Sequence, residues 1–109
     1  MSPSAATDAA RTVDRSLSLL ASGPRRAILT ELSSSPGIGG EELDRIRARF
    51  GATEVEFETQ LFHVHLPKLT AEEVVEFDLD PLSVRRGPRF EELGPLLEAL
   101  RPIDGPVGD

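Results

Sequence analysis

The feature that most constrains this chain is a change of period near residue 70. From Glu54 to about Leu69 the apolar residues recur at helical spacing. Beyond that, Val74-Val75-Glu76-Phe77 and Leu82-Ser83-Val84 alternate as short strands on either side of Asp78-Leu79-Asp80-Pro81. A helix handing over to a hairpin within 109 residues leaves room for one small domain. Its core must be aliphatic, because the chain has five Phe and neither Trp nor Tyr.

Upstream of the change the pattern is helical throughout. Val13, Leu17, Leu19 and Leu20 form a first amphipathic run that ends at Ser22-Gly23. Pro24 suits the first turn of a second helix carrying Ala27, Ile28, Leu29 and Leu32, and Ser33-Ser34-Ser35-Pro36-Gly37 stops it. Gly37-Ile38-Gly39-Gly40 reads as a flexible lead-in to a third helix with Leu43, Ile46 and Phe50 on one face. In that helix Glu41, Glu42 and Asp44 precede Arg45, Arg47 and Arg49, the order that suits the helix dipole.

On a wheel of about 100° per residue the 54–69 segment has two apolar strips. Val55, Phe62, Leu66 and Leu69 make one and Phe57, Leu61 and Val64 the other, with His65 between them; Glu56, Thr59, Gln60, His63 and Pro67 face outward. Pro67 is expected to end or kink the helix. Gly87-Pro88 closes the hairpin, and a last helical stretch from Phe90 to Leu100 is interrupted at Gly94-Pro95. The expected architecture is mainly α with a small β-hairpin, folded over 13–100, with tails at 1–12 and 101–109.

Two stretches carry a resemblance. Pro24-Arg25-Arg26-Ala27-Ile28-Leu29-Thr30-Glu31-Leu32 is similar to the R-x-x-I-L-x-x-L opening of ArsR-like regulators. His65-Leu66-Pro67-Lys68-Leu69 followed by Val74-Val75-Glu76-Phe77 resembles their passage from recognition helix to wing, and LFHVHLPKL-TAEEVVEFD looks closest to small haloarchaeal winged helix domains of unassigned function. The resemblance spans about residues 15 to 100. It implies a winged helix-turn-helix fold with a three-helix core, a two-stranded wing and flanking N- and C-terminal helices. It further implies a transcriptional regulator that binds double-stranded DNA, often as a homodimer. Where such domains have Gly before the first wing strand, this chain has Glu73, so either that residue is strained or the turn differs.

Under that reading Thr59, Gln60 and His63 would read base edges while Lys68, Arg85, Arg86 and Arg89 hold phosphate. The charge pulls the other way: the chain carries a formal net charge of -7, and from Glu54 to Asp78 seven acids face Lys68 alone. A second reading therefore keeps the fold for contact with a protein partner. A continuous basic strip joining Arg85, Arg86 and Lys68 would favour DNA; an acidic face with the arginines tied up would favour protein. Arg25 and Arg26 stand at a helix start, unfavourable for cations, and are assigned a structural role.

Other chemistries find little support. With zero Cys there is no disulfide, thiol nucleophile or cysteine-ligated metal. His63 and His65, two apart on a helix, point about 200° from each other and cannot share an ion without ligands from a second chain, so no metal or other cofactor is expected. No nucleophile–base pair or phosphate loop suggests an enzyme. No apolar run approaches the roughly twenty residues of a membrane span, and a cytoplasmic location is expected.

Overall fold

The helices begin where the sequence supplies caps. The Ser22 hydroxyl accepts the Arg25 N–H at 3.3 Å and starts α2 (Gly23–Ser34). The Glu42 carboxylate accepts the Gly39 N–H at 2.7 Å at the head of α3 (Gly40–Arg49). Thr53 and Glu56 exchange bonds at 2.9 and 3.1 Å to open α4 (Glu54–Gln60). The computed structural model describes the backbone of residues 4–104 and the side chains of 10–101. Within that range α1 is Ser4–Leu19, so the first helix reaches nine residues N-terminal of Val13, where the apolar pattern begins. The tails expected at 1–12 and 101–109 lie in part outside the described residues.

The 54–71 segment runs as one helical path but not in one register. After α4, Leu61–His65 is π-helical, with the Leu66 N–H bonded to the Leu61 carbonyl, and α5 (Leu66–Ala71) follows. Pro67 therefore does not end the helical path: the wider π turn precedes it, and it falls in the first turn of α5, where a missing N–H is tolerated. The extra residue per turn also rephases the faces. Phe57, Leu61, His65, Leu66 and Leu69 are buried, whereas Val55 is 75% and Phe62 37% exposed, so the expected first apolar strip is only half core.

The strands are β2 (Val75–Asp78) and β3 (Ser83–Arg86), the expected hairpin, plus β1 (Gly37–Gly39), which the sequence reading treated as a flexible lead-in. The sheet is antiparallel in the order β1-β3-β2, with Ile38 and Phe77 both opposite Val84. Three residues, two of them glycine, carry too little pattern to read as a strand, yet Ile38 is buried and fixes the register. A 3₁₀ turn (Phe90–Leu93) leads into α6 (Gly94–Asp104), which begins beside Pro95 as the sequence suggested. Ile28, Leu29 and Leu32 of α2 lie at the centre of the core with Ile46, Leu61, Leu66, Leu69, Val75, Val84 and Leu93. The molecule is thus mainly helical, with a small three-stranded antiparallel sheet.

The link from α5 to β2 is held tightly. Glu73 has φ 61, the left-handed conformation that a glycine would adopt without strain. Its carbonyl accepts the Arg89 N–H at 2.9 Å, and the neighbouring Val74 carbonyl accepts the Gly87 N–H at 2.9 Å. A Cβ on Gly87 would stand 2.5 Å from the Glu73 carbonyl oxygen, so that crossing requires glycine.

Candidate functional site

Of the residues expected to contact DNA, Thr59, Gln60, His63 and Lys68 are all exposed along α4, the π turn and α5. The structure thus brings Thr59, Gln60 and His63 together on one outward arc, three and four residues apart. Glu56 shares that arc, Glu54 and Glu58 are exposed on the side of α4 that faces α3, and Val55 and Phe62 stand exposed between the two flanks. Glu56 is held below the usual carboxylate range by hydrogen bonds from Thr53, so it stays ionised. The outward face of this helix is acidic and partly apolar.

The three arginines at and beyond the second strand of the hairpin do not form a free basic strip. Arg85 is paired with Asp78 at 2.5 Å and Glu76 at 3.4 Å across the hairpin. Arg86 donates to the Leu32 carbonyl at 2.6 Å and the Ser33 carbonyl at 3.2 Å, and its guanidinium stacks over Phe90 with 5.3 Å to the ring centroid. It secures the last carbonyls of α2 to the sheet. Arg89 grips both oxygens of Glu92 at 2.8 and 3.0 Å, which lowers the pKa of Glu92 and raises that of Arg89. All three sit at the base or middle of the hairpin, while its tip carries Asp78, Leu79 and Asp80, with Leu79 58% exposed. The tip of the hairpin presents acids and an apolar side chain, and the cations behind it are paired.

Sequence reasoning missed the pair beneath this face. Arg25 and His65, forty residues apart, are each only 7% exposed, and the Arg25 Nη1 donates to His65 Nδ1 at 3.1 Å. Arg25 also donates to the Leu19 carbonyl at 2.8 Å and the Ser18 carbonyl at 3.0 Å, and Arg26 donates to the Leu20 carbonyl at 2.7 Å. The two arginines at the start of α2 therefore cap the end of α1, where helix carbonyls favour positive charge. Their unfavourable place at one helix's start was the available signal. Burial lowers the Arg25 pKa; burial first, and then Arg25, lowers that of His65. Among the described residues no group of three or more His, Cys, Asp and Glu side chains is placed to hold a metal ion, and no helix is long and apolar enough to cross a membrane.

No protein-family model, curated protein or solved structure matches this chain.

Proposed function

We propose that the chain is a winged helix domain of the transcription-regulator type whose 54–63 face makes its functional contact with a protein rather than with DNA phosphate. The element order supports the fold part of this reading: α2, β1, α3, the α4–α5 helix and the β2–β3 hairpin follow the winged helix sequence, flanked by α1 and α6. The observation that carries the functional part is the composition of the helix that would enter a groove. Val55 and Phe62 are exposed among Glu54, Glu56 and Glu58, and each wing arginine already has a partner. Apolar side chains ringed by acids suit a partner with an apolar and basic surface. Self-association belongs to the same reading, since Val13 and Leu17 on α1 are 49% and 45% exposed and a homodimer would cover them.

The test is retention of a partner from the source cells on immobilised wild type, with Val55→Asp and Phe62→Asp columns alongside. A protein held by the wild type and lost from both variants supports the reading. One held equally by all three places the contact elsewhere.

DNA binding is the second reading, favoured by the exposed polar arc of Thr59, Gln60 and His63 with Lys68 further along the helical path. Exposed ion pairs such as Arg85 with Asp78 and Arg89 with Glu92 cost little to exchange for phosphate. Arg86 cannot do so without releasing α2.

A further inference from the structure

A groove opens beside the helix face, lined by Pro24, Phe50, Val55, Phe57, Glu56 and His65 among others, with a volume of about 570 Å³. That is the size of pockets that take small molecules. Its walls are apolar: Phe50 is 43% exposed and Val55 75%, while Phe57 is buried behind them.

The chemistry of its floor is fixed by the Arg25–His65 bond. A guanidinium only donates, so the His65 Nδ1 that receives it must carry the lone pair, and the neutral ring then carries its proton on Nε2. Nε2 has no hydrogen-bond partner among the described residues, yet no buried side-chain nitrogen is left unsatisfied, so this atom keeps solvent access, and the groove is an opening that His65 lines. A ring more than nine-tenths buried thus offers one N–H donor into an apolar recess. Behind it stands a charge without a counter-ion among the described residues. Arg25 is 7% exposed and its side-chain bonds go to two carbonyls and the imidazole, all of them neutral. The acid that lines the groove, Glu56, is exposed to solvent, and its carboxylate is engaged by the Thr53 N–H.

We propose that this groove binds a small aromatic or branched aliphatic carboxylate, its apolar body between Phe50 and Val55 and its carboxylate accepting the His65 Nε2–H. The ligand's charge reaches Arg25 through the imidazole and compensates it. Because Arg25 also holds the last carbonyls of α1, the site is joined by two hydrogen-bonded steps to the end of that helix, and occupancy strengthens the α1 clamp. The groove shares Val55 and Glu56 with the 54–63 face, but its test reads ligand-induced shifts on the isolated chain and so separates it from the protein-contact reading.

The test uses the full chain and two probes of one shape, 4-isopropylbenzoate and 4-isopropylbenzylammonium, followed by NMR. Long-range ¹H–¹⁵N correlation of the imidazole is expected to show the proton on Nε2. The benzoate is expected to shift the His65, Phe50 and Val55 resonances in a saturable way, the ammonium to bind at least about tenfold more weakly, and Val55→Asp to weaken the benzoate by about tenfold, equivalent to about 1.4 kcal/mol. Val55 is exposed, so that variant keeps the fold. A proton on Nδ1, a benzoate that moves no groove resonance, or an ammonium that binds as well as the benzoate would each overturn the proposal.

Discussion

Glu73 occupies a left-handed position, its backbone bonded to the Thr70 carbonyl and the Arg89 N–H and its exposed carboxylate adding only a screened attraction to Arg89. Relieving that backbone conformation is worth about 1 kcal/mol, so Glu73→Gly is expected to raise the urea midpoint, and a lower midpoint would show the turn to be unstrained. Gly87 is the opposite case. A methyl at 2.5 Å from the Glu73 carbonyl must push the crossing apart, and Gly87→Ala is expected to cost about 2 kcal/mol or more in the same assay. His65 gives a pH dependence. Above its ordinary pKa of 6.5 the ring is neutral in both folded and unfolded chains. As the pH falls below that value the unfolded chain takes up a proton that the folded one resists, because burial and Arg25 depress the folded pKa, so stability is lost progressively down to the depressed value. His65→Gln keeps an acceptor for Arg25 without the titration. Its midpoint is expected to fall less steeply than wild type below about pH 6.5, and equal slopes would contradict the assignment.

Among the elements, the helices were legible because apolar spacing and caps agree. Ser22, Glu42 and Thr53 each stand where the structure uses them. What the sequence did not disclose was set by contacts far apart in the chain. β1 exists because Ile38 finds Val84, forty-six residues on, and the π turn that exposes Val55 and Phe62 has no composition of its own. The site was half legible for the same reason: exposure of Thr59, Gln60 and His63 follows from the wheel, whereas the partners of Arg85, Arg86 and Arg89 depend on the hairpin register and on the approach of α2. The arginines now differ in kind. Arg86→Met removes two hydrogen bonds to the end of α2 and is expected to cost about 1–2 kcal/mol, read as a lower thermal midpoint. Arg85→Ala, which loses only exposed pairs, is expected to leave that midpoint close to wild type. Equal effects would mean that Arg86 is no clamp.

For the whole molecule, the decisive quantity is the sign of the surface that the 54–63 face and the hairpin tip offer. The chain carries nineteen acids against twelve bases; of the bases near the face Arg85, Arg86 and Arg89 have partners within the fold and Lys68 is exposed, so little cation is left to displace counter-ions from a duplex. The measurement that tests this most directly is fluorescence anisotropy of the protein against labelled duplexes from its own genomic neighbourhood, titrated from low to multi-molar KCl. A variant carrying Lys68→Ala, Arg85→Ala and Arg89→Ala, which spares the Arg86 clamp, is run beside it. The expected result is no specific binding at any salt and no difference between the two proteins. Saturable binding by the wild type that the triple variant loses would contradict the account and return the face to DNA.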